Sequence, residues 1–231
     1  MARQPGHVRR AVTALQPVAE RIVYVSSANV YASQRELGQD EEAMLLAPLV
    51  SDVMESMEQY GEAKVACERA VLDGFGAART MVARVGLIGG PGDESGRSGY
   101  WPWRFAHPSN PQGAVLVPDN PQLPTAVVDV RDLAAWLLSC AETGVVGIYN
   151  AAGPPRPLAE HLAAARTVAG HTGPVRAASP SWLTERGVQM WMGPKSLPLW
   201  IDDPDWYGMN ARSTDRARAA GLTTRPLGDT L

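Results

Sequence analysis

Strand-like and helix-like segments alternate along most of this chain, and this alternation is the feature that most limits its possible folds. Short runs of β-branched and aromatic residues are followed by segments whose apolar residues recur every three or four positions. Strands joined by helical crossovers form a parallel sheet with helices on its faces, so the sequence predicts an α/β fold. The predicted strands are residues 21–26, 80–85, 114–117, 125–128 and 145–150, and the predicted helices are 7–20, 58–77, 130–142, 157–169 and 213–220.

Charge and cysteine content exclude several classes of protein. The chain has 21 basic and 24 acidic residues, a net charge of −3, so no overall positive field favours nucleic acid. No apolar stretch has the length of a membrane-spanning helix. Cys67 and Cys140 are the only cysteines, which excludes a disulfide scaffold and is typical of a cytoplasmic protein. We therefore expect no nucleic-acid partner and no membrane partner.

Tyr60 and Lys64 form the most specific candidate for chemistry. They are four positions apart in a predicted helix, so their side chains share one face. A tyrosine has an ordinary pKa of about 10, and a nearby cation stabilises the phenolate and lowers that pKa. The spacing predicts a proton-transferring tyrosine, while the alternative is a chance spacing on a solvated helix face.

A second candidate is the pair of hydroxyls of Ser26 and Ser27, directly after the strand predicted at residues 21–26. Ligands of open α/β sheets bind beyond the carboxyl ends of the strands. A hydroxyl at this place can donate to a substrate carbonyl oxygen. The alternative is that both serines only end the strand or cap a turn.

Together these residues resemble the extended short-chain dehydrogenase/reductase family, the NAD-dependent epimerase/dehydratase group. Four further segments are similar to its motifs and follow in the family order. Residues 84–93 (RVGLIGGPGD) resemble its R-P-x-x-x-x-G-P strand and loop, 127–134 (VVDVRDLA) its V-x-D-L-A helix start, 147–153 (GIYNAAG) its late strand, and 216–227 its closing helix and tail.

The resemblance implies a role for each candidate residue. Tyr60 would be the general acid/base, Lys64 would lower its pKa and hold the nicotinamide ribose, and Ser27 would orient the reacting carbonyl or alcohol. The implied cofactor is NAD or NADP, the implied partner is a small-molecule substrate, and a homodimer through the Tyr60 helix is possible. The cofactor-binding candidates are Ser26, Ser27, Tyr60, Lys64, Val85, Gly86 and Leu87, and the substrate candidates are Asn29, Trp101, Trp103 and Arg104.

The chain also departs from the family pattern. Its one G-x-x-G-x-x-G spacing, at residues 86–92, follows a late strand and opens no predicted helix, so it does not match the family loop that binds the cofactor pyrophosphate, and the family's first strands have no counterpart. We therefore expect a partial Rossmann-like doubly wound sheet. Without the pyrophosphate loop, the expected binding of the cofactor is weaker. Residues 1–170 would form the truncated dinucleotide-binding domain, with a substrate loop at 88–125, and residues 171–231 a small C-terminal substrate lobe.

Two functions follow as alternatives. The first is an NAD(P)-dependent oxidoreductase or epimerase; the second is a non-catalytic remnant or interaction module that has lost cofactor binding. Thr125 stands where nucleotide-sugar epimerases of the family usually have an arginine, so the expected substrate is not a nucleotide-diphosphate sugar. The histidines show no metal-ligand spacing, and the acidic run at residues 40–42 is expected to be a solvated loop.

Overall fold

The computed structural model describes residues 3–231 and contains seven α-helices and eleven short strands within that range. No helix in the described part has both the length and the hydropathy needed to cross a membrane. The helices are α1 (Pro5–Leu15), α2 (Tyr60–Phe75), α3 (Tyr100–Ala106), α4 (Val130–Thr143), α5 (Leu158–Val168), α6 (Pro180–Glu185) and α7 (Asp215–Ala219). The strands are β1 (Ile22–Ser27), β2 (Thr80–Val85), β3 (Leu87–Gly89), β4 (Val115–Pro118), β5 (Pro124–Thr125), β6 (Val127–Asp129), β7 (Gly147–Ala151), β8 (Arg156–Pro157), β9 (Val175–Ala178), β10 (Gln189–Met190) and β11 (Ser196–Leu197).

The central element is a parallel three-stranded sheet in the order β1-β2-β7. Ile22 lies opposite Thr80 and Ser27 opposite Val85, so β1 and β2 are in full register. All six residues of β2 are buried, as expected for the middle strand of a sheet that is covered on both faces. The three carboxyl ends therefore meet at one edge.

Helices cover both faces of this sheet. Alternate residues of β2 point to opposite sides, so Met81, Ala83 and Val85 join one hydrophobic cluster and Val82 joins another. The first cluster includes side chains of α4 and α7, and the second includes side chains of α1 and α2. This layering confirms the predicted α/β, Rossmann-like doubly wound architecture.

A separate hydrophobic cluster lies beside the sheet. It combines residues from α3, α5 and the β4–β9 pair with Leu183 and the fully buried Trp200. Its members come from both sides of residue 170 in the sequence. The lobe next to the sheet is thus built from the 88–125 segment and from later residues together.

The glycine content of residues 86–99 predicts a loop, and the structure corrects this prediction for three of them. Leu87–Gly89 is strand β3, which pairs in parallel with β6. A Cβ on Gly89 would lie 2.6 Å from Val127 Cγ1 and 2.8 Å from Ser98 Cβ, so glycine permits this close approach. The glycine content that indicated a loop therefore marks a tightly packed short strand.

Helix ends also differ from the predictions. α1 ends at Leu15 instead of residue 20, because the chain turns there and the Arg79 guanidinium donates to the carbonyls of Gln16, Ala19 and Glu20. Pro157 is the N-cap of α5 and not its first helical residue. Similarly, α7 has Thr214 at its N-cap, while the Ser213 hydroxyl accepts from the Asp215 N–H.

Candidate active site

Ser27 is the last residue of β1 and begins a short 3₁₀ turn at Ala28–Val30. Its hydroxyl oxygen accepts a hydrogen bond from the Asn29 N–H at 3.2 Å. A serine hydroxyl that accepts in this way still carries its own hydrogen for donation. The structure therefore places a half-buried donor at the carboxyl edge of the sheet, and it leaves the Asn29 side chain exposed.

Tyr60 is the first residue of α2, and the start of this helix packs directly on the Ser27 turn. A Cβ added to Gly61 would lie 2.3 Å from the Asn29 carbonyl oxygen and 2.5 Å from Leu46 Cδ1. Only a residue without a side chain allows this approach. The half-buried Tyr60 is consequently held next to the residues that follow Ser27.

Lys64 lies one turn further along α2 and is fully buried. Its Nζ donates to the Tyr24 hydroxyl at 2.7 Å and to the Val25 carbonyl at 2.8 Å. Burial lowers the pKa of Lys64 to about 8, although Cys67 and Glu68 act in the opposite direction. Burial also raises the pKa of Tyr24, and Tyr60 contributes to that rise, which places both tyrosines in one electrostatic environment.

Glu68, one further turn along the same helix face, holds α2 against the sheet. Its carboxylate forms a buried ion pair with Arg84 at 2.9 Å, and the Ser26 hydroxyl donates to Oε1 at 2.5 Å. Ser26, predicted to contact a cofactor, is thus hydrogen-bonded to α2. The ion pair positions the helix that carries Tyr60 and Lys64.

A buried polar network continues from Arg84 toward β7. Arg84 Nη1 donates to the Tyr31 hydroxyl at 3.2 Å, and that hydroxyl donates to Asn150 Oδ1 at 2.6 Å. The Asn150 N–H in turn donates to the Glu41 carboxylate at 2.7 Å. Glu41 is 7 % exposed and also pairs with Arg216, so the prediction of a solvated 40–42 loop is wrong at this residue.

A cleft lies at the carboxyl ends of β1, β2 and β7 and encloses about 260 Å³ of empty space, part of it open to solvent. Gly86 lines it, whereas the side chains of Val85 and Leu87 pack into two different hydrophobic clusters. Further lining residues are Ala28, Arg84, Asn150, Ala152, Asn210 and Arg212.

The structure does not bring the predicted substrate residues of α3 together. Trp101 is fully buried, and its indole N–H donates to the Pro198 carbonyl at 2.9 Å. Trp103 is 59 % exposed, and Arg104 donates to the His107 carbonyl and the Ser109 hydroxyl.

Within residues 3–231, no three His, Cys, Asp or Glu side chains are grouped to hold a metal ion.

Sequence reasoning did not single out Tyr24, Glu68 or Arg212. For Glu68 a signal was present, because it follows Lys64 by four residues and so lies on the same helix face. Arg84 was noted within a motif, but its position in the middle of a buried strand also indicates a buried acidic partner. Nothing local indicates that Tyr24 contacts Lys64, forty positions away.

No protein-family model matches the chain, and no curated protein sequence matches it significantly. Solved structures do resemble its fold. One is a protein from Burkholderia cenocepacia J2315 assigned as an epimerase, with a TM-score of 0.64 and 21% identity over 96% of this chain and 65% of the other.

Two further structures are similar at lower identity. The dTDP-4-dehydrorhamnose reductase from Bacillus anthracis, in complex with NADP, has a TM-score of 0.61 and 16% identity over 96% of this chain and 66% of its own. The UDP-glucuronic acid 4-epimerase from Bacillus cereus, in complex with NAD, has a TM-score of 0.59 and 12% identity over 96% of this chain and 63% of its own. The chain thus spans slightly less than two thirds of these proteins, and what it shares with them is a Rossmann-like α/β fold.

Proposed function

We propose that this chain acts in NAD(P)-dependent oxidation, reduction or epimerisation of a small-molecule substrate. The observation that carries the proposal is the packing of the first turn of α2 on the turn after Ser27, through the contact of Gly61 with the Asn29 carbonyl. This packing brings the helix turn that carries Tyr60 against the turn that follows Ser27, at the carboxyl edge of a parallel sheet, where such folds bind ligands.

In this proposal Tyr60 exchanges a proton with the substrate oxygen, and the Ser27 hydroxyl donates to the same oxygen and orients it. Lys64 keeps its proton below a pH of about 8, so it supplies a buried positive charge one helical turn from Tyr60. Tyr24 supports this arrangement, because its hydroxyl accepts from Lys64 Nζ and fixes the ammonium group.

The proposed cofactor is NAD or NADP, which are the dinucleotides bound in two of the similar structures. Such a cofactor donates or accepts a hydride at the carbon that carries the reacting oxygen. Lys64 and Gly86 are the residues proposed to hold its nicotinamide end. Gly86 lines the cleft, and a Cβ at this position would lie only 3.1 Å from Ala152 Cβ, so glycine leaves room that a side chain would fill. The glycine-rich residues 86–92 do not open a helix, so they do not supply a helix N-terminus for the pyrophosphate end.

The test is Tyr60→Phe, which removes the exchangeable proton and keeps the ring. Turnover of NADH or NADPH with a panel of small ketones and sugars should fall by about a hundredfold or more, while dinucleotide binding stays unchanged. Tyr149→Phe is the matched control, because Tyr149 lies on β7 and its hydroxyl donates to the Val146 carbonyl, just before that strand. Turnover that survives Tyr60→Phe would contradict the proposed role.

A second candidate function is a non-catalytic interaction module, favoured because the one G-x-x-G-x-x-G spacing, at residues 86–92, follows β2 and does not lead into a helix. Calorimetric titration of the 231-residue chain with NAD and with NADP separates the two candidates. Saturable binding supports the enzyme, and the absence of heat with either dinucleotide supports the module.

Two finer points belong to the same proposal. The substrate is proposed not to be a nucleotide-diphosphate sugar, since Thr125 is buried and its hydroxyl donates to the Arg156 carbonyl, so it offers no positive charge to a diphosphate. A reducing location such as the cytoplasm is supported by the two free cysteines, Cys67 and Cys140, which are buried in different clusters.

A further inference from the structure

Arg212 is a buried cation at the cleft that the proposed proton transfer does not use. It follows the 3₁₀ segment Pro204–Asn210, is only 5 % exposed and lines the same cleft as Gly86. Its guanidinium lies over the Tyr31 ring, 4.1 Å from the ring centroid. Nη1 donates to Gln39 Oε1 at 2.6 Å, and Nη2 donates to Gln34 Oε1 and to the Ser33 carbonyl.

The partners of Arg212 in the described structure are all uncharged. The neighbouring Arg84, whose guanidinium is near the same Tyr31 ring, is neutralised by Glu68 at 2.9 Å. Glu41, the other buried carboxylate of this network, is paired with Arg216. No carboxylate within residues 3–231 lies within ion-pair distance of Arg212, so the cleft holds an uncompensated positive charge.

Burial of such a charge is unfavourable unless an anion accompanies it. Burial lowers the pKa of Arg212 to about 10; Tyr31 opposes this change and the positive charge of Arg84 adds to it. The Nε–H of Arg212 is also one of the buried side-chain groups without a hydrogen-bond partner in the described structure. Charge and hydrogen-bonding capacity are thus both unsatisfied at one side chain.

The cleft offers room beside this side chain. Its empty space is about 260 Å³, which includes part of the open solvent, and Arg212 lines it. Ala28 and Gly86, which border the Ser27 and nicotinamide candidates, line the same cleft. A ligand that places one oxygen at Arg212 would extend toward the proposed reacting groups.

We propose that Arg212 binds an anionic oxygen of the substrate, from a carboxylate or a phosphoryl group, at the end of the molecule away from the atom that reacts near Ser27 and Tyr60. This assignment rests on the proposed function and names the substrate class of that site. A guanidinium suits this role because its planar fork donates to carboxylate and phosphate oxygens in fixed directions.

The test is a titration of the full chain, labelled with ¹⁵N-arginine, with inorganic phosphate and separately with acetate at constant ionic strength. The Arg212 Nε–H resonance, identified from its loss in Arg212→Lys, should shift saturably with one or both anions. A response to phosphate alone indicates a phosphoryl substrate, and a response to acetate alone a carboxylate. Arg212→Lys should weaken anion binding by about tenfold, because lysine lacks Nε and the planar fork; calorimetric titration measures this affinity, since the variant no longer has the reporting resonance.

Arg176, exposed on β9, is the matched control, and Arg176→Lys should leave the affinity unchanged. No shift at Arg212, or equal shifts at Arg212 and Arg176, would overturn the proposal and indicate an adventitious ion only. If Arg212→Lys does not fold, the buried Nε–H is recognised in the original chain by its slow exchange with solvent. The titration needs neither dinucleotide nor turnover, so a negative result would leave the proposed role of Tyr60 intact. Likewise, turnover that survives Tyr60→Phe would leave anion binding at Arg212 intact.

Discussion

Replacing Glu68 by Gln should destabilise the protein strongly, because it removes the only carboxylate paired with the buried Arg84 in the described structure. The Arg84 and Glu68 side chains are 2 % and 3 % exposed and 2.9 Å apart. Removing one partner of such a pair leaves an uncompensated buried charge and costs about 3–5 kcal/mol. Glutamine keeps the shape of the side chain and can still accept from the Ser26 hydroxyl, so the substitution isolates the charge.

The expected loss is large enough to measure in two ways. For a domain of this size, each kcal/mol lowers Tm by about 2–4 °C, so Glu68→Gln should lower Tm by about 6–20 °C. Urea unfolding followed by tryptophan fluorescence should give the same free energy from the shifted midpoint. Combining Glu68→Gln with Arg84→Met should restore part of the loss, since the unpaired charge is then gone.

Glu42→Gln provides the control, because Glu42 also pairs with an arginine at 2.9 Å, but on the surface. The Arg216 and Glu42 side chains are 47 % and 74 % exposed, and pairs of this kind contribute about 0–1 kcal/mol. If Glu68→Gln costs no more than Glu42→Gln, the reasoning from burial is refuted.

Two further predictions concern α2. Lys64 has a pKa of about 8 in the folded chain and an ordinary pKa of 10.5. Between pH 8 and pH 10.5 the unfolded chain therefore holds a proton on Lys64 that the folded chain has released. The free energy of unfolding should rise with pH in this range, by up to about 1.4 kcal/mol per pH unit. Urea unfolding at a series of pH values should show this rise in the original chain and not in Lys64→Met. The prediction is contradicted if the free energy of unfolding depends on pH in the same way in both. Gly61→Ala should cost about 1–3 kcal/mol and reduce turnover, because its Cβ meets the Asn29 carbonyl. Gly99→Ala, where a Cβ meets nothing within 4 Å, should change neither, and equal effects of the two substitutions would be evidence against the clash.

The parts of the fold that the sequence predicted well are those set by local patterns. Residues 80–85 were predicted as a strand to the residue, since six consecutive positions suit a buried strand. α4 was also found, with Asp132 in its first turn, because its apolar spacing is regular; Asp129 caps it. Such signals lie within a few positions of one another and do not depend on the rest of the chain.

Contacts between distant parts of the chain were not predictable in this way. Arg212 is held by Gln39 and Gln34, more than 170 positions earlier, and its local sequence resembles that of an exposed arginine. Glu41 lies between two other acidic residues, and its burial follows only from its contacts with Asn150 and Arg216. Ser27, Tyr60 and Lys64 could be named as candidates because a strand end and a helical spacing are local signals, whereas the burial of Arg212 at the same cleft follows only from the fold.

The register of the central sheet has a consequence for how the protein folds. Ile22 pairs with Thr80 and Met81 with Gly147, so each pairing closes a loop of roughly 60 residues. Contacts between positions so far apart in sequence form slowly, and folding rates fall as they become more numerous. α2 lies within the first of these loops, so the segment that carries Tyr60 is part of the loop that β1–β2 pairing closes. The cleft is lined by residues at the ends of all three strands, so we expect the complete candidate site to require both of these slow pairings.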